Sequence, residues 1–288
     1  MNAKSMKEAL YYKLERDKIR CELCPNDCLI ADGKKGMCKV RVNKANTLYT
    51  EVYKRATSIA LDPIEKKPLY HYHRGEYILS LGTKGCNFAC PWCQNWPIAQ
   101  GENASTYEMT KEEAVRRAKE LGSFGIAYTY NEPFIWFEFV LECAEFAKKN
   151  GLENVLVTNG YVHKEPLYEI LPYIGAMNID IKSIEEKFYK EHCLGKLEPV
   201  LENTKIAKEK GVHIEITNLI IPTLNDSEKN IGGLVDWVYV NLGAETPLHF
   251  SRYFPCHKMK LPPTPVETLE RAKEIADKKL KYVYLGNV

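Results

Sequence analysis

The chain of 288 residues has little of what marks a membrane or nucleic-acid-binding protein. No apolar run approaches the roughly 20 residues that a membrane-spanning helix needs, so we expect no membrane partner. The formal net charge is only +2, and such a balance predicts no nucleic-acid partner. The charged amino-terminal segment also lacks the apolar core of a signal peptide, which predicts a cytoplasmic protein.

In that compartment the ten cysteines are expected to be metal ligands or reduced thiols rather than disulfides. Seven of them fall into two groups with short spacings. Cys143, Cys193 and Cys256 show no partner pattern. Cys143 lies on one face of a helical pattern, which is typical of a core position.

The first group is Cys86-x3-Cys90-x2-Cys93, directly after an apolar, strand-like segment at 77–81. Thiolates on such a short loop can hold an iron–sulfur cluster. A four-iron cluster with three protein thiolates keeps one iron open to a small molecule. Zinc is the chemical alternative, but its thiolate sites usually close with four ligands, often as two separated Cys pairs.

The second group is Cys21-x2-Cys24-x3-Cys28-x9-Cys38, which places four thiolates on a loop-rich segment. Four such ligands can close around zinc or around a [4Fe–4S] cluster. Zinc would stabilise a small appendage that has too little core of its own. An auxiliary cluster would relay electrons or bind substrate, and we favour the cluster slightly.

Before residue 76 the chain shows short, irregular patterns. Residues 1–20 are predicted to form a helix, 21–38 a metal-binding loop, and 47–61 one or two strands. A proline-punctuated connector follows at 62–75. We therefore predict an amino-terminal unit over 1–75 and a core over 76–288.

From residue 77 onward, strand and helix patterns alternate. Continuous apolar runs of this kind are typical of parallel strands buried on both faces. The predicted strands lie at 78–82, 125–130, 154–159, 176–181, 213–221, 247–254 and 282–286. The predicted helices lie at 110–122, 133–151, 165–175, 197–211, 227–243 and 265–280. The repeat predicts a barrel or an open doubly wound sheet, with its chemistry at the carboxyl ends of the strands.

Four blocks of sequence then resemble a known family. DPIEKKPLYHY, GTKGCNFACPWCQNW, YTYNEP and VTNGY occur in this order, and together they resemble the radical S-adenosylmethionine (SAM) superfamily. Within it they are most similar to the AmmeMemoRadiSam-system branch, relatives of pyruvate formate-lyase activating enzyme. The resemblance covers about residues 20–288 and implies an incomplete (β/α)6 TIM-like barrel with a small Cys-rich amino-terminal appendage.

The resemblance also implies the cofactors. Cys86, Cys90 and Cys93 are expected to hold a [4Fe–4S] cluster whose open iron chelates SAM. One electron then cleaves SAM to methionine and a 5′-deoxyadenosyl radical, which abstracts hydrogen from a substrate. That electron would come from a ferredoxin- or flavodoxin-like donor. The substrate is either a protein, as for the activating enzymes, or a small molecule.

The family pattern suggests which residues contact SAM. Trp92 stands where relatives place an aromatic residue near the adenine, although it also fits a buried loop anchor. Asn131 and Glu132 stand where many relatives carry Gly-Gly-Glu-Pro, a segment that receives the SAM amino group. Here Tyr130 and Asn131 replace the two glycines, and Asn131 or Glu132 could instead start the next helix.

The remaining predicted contacts lie at later strand ends. Asp180 and Lys182 share one face of a strand and resemble the Asp-x-Lys pair that touches the SAM ribose and carboxylate, or they form a structural ion pair. The other candidates, each with an ordinary structural alternative, are Thr158, Asn159, Thr217, Asn218 and His257.

Two other classes of protein remain as alternatives. An iron–sulfur electron-transfer protein could use two clusters without cleaving SAM, but it would not need six βα units or an open iron. A binding module could instead carry zinc at both sites.

Overall fold

The computed structural model describes residues 6–101 and 103–288. The strands are β1 (Lys7–Glu8), β2 (Tyr12–Glu15), β3 (Lys18–Cys21), β4 (Leu29–Ile30), β5 (Arg41–Lys44), β6 (Thr47–Thr50), β7 (Arg55–Ala56), β8 (Ser58–Pro63), β9 (Tyr77–Gly82), β10 (Tyr107–Glu108), β11 (Gly125–Tyr128), β12 (Glu153–Thr158), β13 (Ala176–Asp180), β14 (His213–Ile220), β15 (Leu248–Arg252) and β16 (Val283–Gly286). The helices are α1 (Trp96–Ala99), α2 (Lys111–Glu120), α3 (Phe137–Lys149), α4 (Lys164–Ile170), α5 (Glu186–Phe188), α6 (Glu198–Glu209), α7 (Glu228–Leu242) and α8 (Val266–Ala276). Within these described residues no helix is long and apolar enough to cross a membrane.

The core is one eight-stranded sheet in the order β16-β15-β14-β13-β12-β11-β9-β8. All neighbours in it are parallel except β8 and β9, which are antiparallel. The strands β8 and β16 form the two free edges, so the described sheet does not close on itself. This architecture confirms the predicted α/β fold with an incomplete barrel of parallel strands.

Local sequence explains why these elements form. All four residues of β11 are buried, as expected for a parallel strand covered on both faces. Helix α2 begins after Thr110, whose side chain accepts a hydrogen bond from the backbone N–H of Glu113. Helix α7 begins in the same way after Ser227. The predicted strands and helices after residue 77 are thus confirmed.

The helix predicted for residues 1–20 is wrong wherever the structure describes that segment; residues 1–5 lie outside the described residues. Strands β2 and β3 form an antiparallel hairpin there, with Leu14 opposite Ile19. Arg16 turns the chain with a φ of 58°. Side chains along β3 alternate between the two faces of the hairpin, so that Ile19 and Cys21 are buried and Arg20 between them is half exposed. This alternation favours a strand over a helix in this segment.

The amino-terminal strands share one hydrophobic core with the large sheet. Strand β8, which the sequence analysis placed before the core, pairs along β9 from Ser58 to Pro63. A buried ion pair between Arg41 on β5 and Glu138 on α3 joins the two parts.

A buried carboxylate anchors the connector at 62–75 to the sheet. Glu215 on β14 accepts hydrogen bonds from the backbone N–H groups of Tyr70 and His71, at 3.0 and 2.7 Å, and from His213 and His249 at 3.0 and 2.7 Å. Burial opposes its ionisation, but these bonds outweigh burial and hold the pKa of Glu215 at about 2.

Candidate functional site

A cavity of about 350 Å³ opens at the carboxyl ends of the parallel strands. The loop after β9 contributes Cys86, Cys90 and Cys93, and all three line this cavity. Residues that follow or end the other six parallel strands also reach it, from Glu132 after β11 to Asn287 after β16. The chain therefore brings the cysteine triplet to the place where α/β folds carry their chemistry.

The cysteine loop is held by side chains of its neighbours. Asn131 accepts a hydrogen bond from the backbone N–H of Thr83 at 3.1 Å and donates one to the carbonyl of Gly85 at 2.7 Å. Gln100 donates to the carbonyl of Cys90 at 3.0 Å. The side-chain amide of Asn131, predicted as a SAM contact, thus lines the cavity but is engaged by the backbone of the cysteine loop.

The three cysteines suit a metal centre. Burial raises the pKa of Cys86 well above its ordinary value and the pKa of Cys93 to about 11, whereas a hydrogen bond with Cys193 and the charge of Lys182 lower the pKa of Cys90. Cys86 and Cys93 therefore stay protonated near neutral pH unless a further positive charge lies beside them. A bound metal supplies that charge, because a coordinating thiol is deprotonated outright.

Glu132 is the buried carboxylate of the cavity. Its two oxygens accept hydrogen bonds from Thr158 Oγ1 at 2.7 Å and from the backbone N–H groups of Asn159 and Phe134 at 2.8 and 3.0 Å. Burial outweighs these bonds and raises the pKa of Glu132 to about 7. The bond to Phe134 also begins the short helical turn Pro133–Trp136, so the structural role considered for this residue is present as well.

Asp180 and Lys182 stand together on the cavity wall. Lys182 Nζ lies 2.9 Å from Asp180 Oδ2. Burial disfavours the ammonium group, but Asp180 outweighs burial and raises the pKa of Lys182. Thr217 lies on the next strand, and its hydroxyl is buried without a hydrogen-bond partner among the described residues. This unpaired polar atom is what a polar ligand in the cavity could satisfy.

Three further predicted residues line the same cavity: Trp92, Thr158 and Asn159. Trp92 is buried and packs on Phe188, with ring centroids 5.4 Å apart, so it anchors its loop and also reaches the cavity. Asn159 donates to Asn87 Oδ1 at 2.9 Å, next to Cys86.

Two predicted residues do not reach the cavity. Asn218 donates instead to the carbonyls of Ile181 and Lys182, at 2.8 and 3.2 Å. It follows Thr217 on the same strand, and consecutive side chains point to opposite faces. His257 stacks on Trp96, with ring centroids 4.9 Å apart.

Lys66, Lys67 and Tyr130 were not predicted but line the cavity. Lys67 is buried and donates to Asp62 Oδ2 at 2.7 Å. Tyr130 donates to the same oxygen at 2.9 Å. The two lysines lie in the DPIEKKPLYHY block, one of the four that carried the family resemblance. Membership in that block was the sequence signal that could have pointed to them.

The second cysteine group surrounds a separate, nearly closed space. Its walls are formed by Cys21, Cys24, Cys28, Cys38, Leu23, Asn26, Ile30, Gly36, Arg41 and Ile135. The four predicted thiols are therefore brought together. Among the described residues, no three Cys, His, Asp or Glu side chains converge as ligands of a single ion, at either group.

Comparison with known proteins shows the superfamily of this chain. The model of the Radical SAM superfamily matches residues 80–238. An uncharacterised protein of Methanocaldococcus jannaschii is 47% identical over 288 residues, which cover 98% of this chain and 86% of that protein. The pyruvate formate-lyase-activating enzyme of Clostridium pasteurianum is 27% identical over 164 residues, 53% of this chain and 66% of that enzyme.

Among solved structures, Streptococcus suis SuiB bound to S-adenosylmethionine shares the fold. Its TM-score is 0.56 at 18% identity, over 73% of this chain and 52% of that one. The fold and the matches define an α/β enzyme, and the chain belongs to the Radical SAM superfamily. Named activating enzymes are among its relatives. The narrower AmmeMemoRadiSam assignment stays a prediction.

Proposed function

We propose that this chain is a SAM-cleaving enzyme with a [4Fe–4S] cluster on Cys86, Cys90 and Cys93. The observation that carries the proposal is that these thiols, Glu132 and the Asp180–Lys182 pair line one cavity. The bound cofactors supply the hard chemistry, a one-electron cleavage that yields a hydrogen-abstracting radical. The protein positions these cofactors through the side chains that line the cavity.

The polar side chains of the cavity offer a complementary group for each polar part of SAM. Glu132 presents a buried carboxylate for the amino group of SAM. Lys182 presents a cation for its carboxylate, and Asp180 accepts from its ribose hydroxyls. Thr217 offers a hydroxyl that has no other described partner. These roles follow the family pattern and the chemistry of each side chain.

The substrate enters where the cavity meets solvent. The relation to an activating enzyme of Clostridium pasteurianum supports a glycyl residue of a partner protein as the hydrogen donor. Lys66 and Lys67 also stand on this wall, and each pairs with Asp62. A reductant of the ferredoxin or flavodoxin class supplies the electron. We place the reaction in the cytoplasm, where thiols stay reduced.

Anaerobic reconstitution with iron and sulfide tests the proposal. We expect the native protein, given SAM and a strong reductant, to release 5′-deoxyadenosine. We also expect the EPR spectrum of the reduced protein to change when SAM is added. Replacement of Cys86, Cys90 and Cys93 by Ala should abolish both and remove about four iron atoms per chain.

Cys143→Ala is the matched control, because this buried thiol on α3 lies outside both cysteine groups. It should keep the iron content and the activity. A brown protein that is inert toward SAM would instead support an electron carrier. A colourless zinc protein would support a binding module. Either result would overturn the proposed cleavage.

A further inference from the structure

Among the described residues, the thiols of Cys21, Cys24, Cys28 and Cys38 line one space but do not converge as ligands of a single ion. The space that they surround has a volume of about 10 Å³, enough for one water-sized sphere. Such a sphere keeps each neighbouring sulfur roughly 3 Å or more from its centre. A zinc ion lies about 2.3 Å from each of its thiolates. The wider spacing suits a cluster, in which iron and sulfide stand between the thiolates.

The residues around these four cysteines suit a redox-active cluster, which gains and loses one electron. Arg41 is buried, and its Nη1 donates toward Cys21 Sγ at 3.8 Å. The backbone N–H of Met37 donates to Cys28 Sγ at 3.4 Å. Hydrogen bonds to the sulfurs, including the one from Arg41, stabilise the more negative, reduced form of a cluster.

The loop of this centre touches the loop of the SAM-side cysteines. Asn26, two residues after Cys24, donates to the carbonyl of Asn87 at 2.8 Å, and Asn87 adjoins Cys86. Gly85 adjoins Cys86 on the other side, and a Cβ there would lie 2.6 Å from the carbonyl oxygen of Cys38. Short covalent paths with one hydrogen bond or one close contact therefore connect the two groups.

A basic groove of about 420 Å³ lies over this junction. Lys35, Lys39 and Lys84 line it, together with Gly36 and Gly85. Only Gly36 separates the groove from the four cysteines at this point, because a Cβ at Gly36 would lie 3.4 Å from Cys28 Sγ. Lys35 pairs with Glu51, whereas Lys39 donates to a backbone carbonyl, and Lys84 makes no ion pair within the described part of the chain. The groove keeps a positive charge beside both cysteine loops.

We propose that the four-cysteine centre holds a redox-active [4Fe–4S] cluster and that the basic groove docks an acidic one-electron donor protein. The donor, of the ferredoxin or flavodoxin class, passes one electron to this cluster and is oxidised by one electron. The cluster passes that electron on to the centre at Cys86, Cys90 and Cys93. This inference rests on the proposed function, because the electron delivered is the one that cleaves SAM.

Metal and sulfide analysis of the native chain tests the cluster directly, without any variant. We expect about eight iron and eight sulfide per chain and no zinc. Only one of two reduced EPR signals should respond to SAM. Removal of two ligands by Cys24→Ala with Cys28→Ala should leave about four iron and the SAM-responsive signal. About four iron with one zinc per chain would overturn the proposal while leaving SAM cleavage intact.

Reduction kinetics test the donor site. A reduced flavodoxin should reduce the SAM-side cluster at least an order of magnitude more slowly after Lys35→Glu, Lys39→Glu and Lys84→Glu are combined. Titanium(III) citrate, a small reductant, should reduce native and variant proteins at equal rates. The matched control combines Lys208→Glu, Lys229→Glu and Lys278→Glu, which make the same charge change at exposed positions elsewhere.

The proposal fails if the groove variant and the control variant respond alike to flavodoxin. It also fails if the groove variant is equally slow with both reductants, since the defect would then lie in the SAM-side cluster itself. Neither result changes whether the native enzyme releases 5′-deoxyadenosine with titanium(III) citrate, so this readout tests the proposed function separately.

Discussion

Glu132 combines two roles in one buried side chain. It begins a helical turn through the N–H of Phe134 and also faces the cavity. Burial raises its pKa to about 7, so its carboxylate population rises as the pH rises through neutrality. A carboxylate binds an ammonium group and a neutral acid does not, so the pH should control SAM binding through this residue.

We therefore predict that SAM binding to the cluster-loaded protein tightens about fivefold from pH 6 to pH 7, in step with ionisation of a group of pKa about 7. Glu132→Gln should weaken binding and flatten this rise. Anaerobic titration calorimetry at both pH values measures it. An unchanged rise in the variant would assign the pH dependence to another group.

Tyr130 replaces a glycine of the family pattern, and the fold accommodates it at a cost. Its φ of 71° lies in the left-handed region, which side-chain-bearing residues seldom adopt. Gly82 leaves it room, because a Cβ there would lie 2.9 Å from Tyr130 Cδ2. The phenol in turn donates to Asp62, which also holds the buried Lys67.

Tyr130→Phe should lower the free energy of unfolding by about 1.5–3 kcal/mol, because a hydrogen bond to a charged carboxylate is lost while the ring remains. Urea unfolding under anaerobic conditions measures the change. Tyr168→Phe is the control, since that ring is 46% exposed. Equal effects of the two substitutions would show that the bond to Asp62 contributes nothing.

At the scale of elements, the two cysteine loops depend on their contact at Gly85. Its φ of 95° already disfavours a side chain, and an added Cβ would also meet Val40 Cγ1 at 2.8 Å and the Cys38 carbonyl oxygen at 2.6 Å. Both neighbours belong to the amino-terminal segment. The cysteine loop after β9 therefore packs directly against that segment at Gly85.

Gly85→Ala should lower iron incorporation and destabilise the protein by more than the roughly 1–2 kcal/mol cost of a left-handed alanine. Gly151→Ala is a matched control, because Gly151 has a φ of 77° but no atom within 4 Å of the added Cβ. Iron analysis and unfolding midpoints should show a larger loss in Gly85→Ala than in Gly151→Ala. Full iron content in Gly85→Ala would contradict the dependence of the loops on each other.

For the whole molecule, one buried ion pair connects the amino-terminal strands to the helical layer. Arg41 and Glu138 side chains are each 1% exposed, and both also bind the backbone of Leu10. Breaking one partner leaves a buried charge, which costs far more than replacing both by apolar groups.

We predict that Arg41→Leu and Glu138→Leu each destabilise the protein by about 3–5 kcal/mol and that the double variant recovers much of this loss. A double-mutant cycle by urea unfolding measures the coupling. The native chain should unfold in one transition, because both parts share a core. Additive losses would show that the pair does not couple the two parts.

How much of the fold and of the candidate site could be predicted from the sequence differs between regions of the chain. The parallel sheet was predictable, because continuous apolar runs and the intervening helical periodicity are properties of short segments. The amino-terminal helix was mispredicted, because strands as short as β2 and β3 give too little alternation to outweigh a charged composition. Asn218 could have been separated from Thr217, since strand neighbours face opposite sides.

Residue spacing and periodicity were enough to establish the two cysteine groups, the order of βα units and the superfamily, because both are local properties of the chain. Three features followed only from long-range packing: Lys67 and Tyr130 meet at Asp62, Asn131 supports the cysteine loop, and the two cysteine loops are in contact. These contacts join segments far apart in the chain, and packing of the whole core sets such distances.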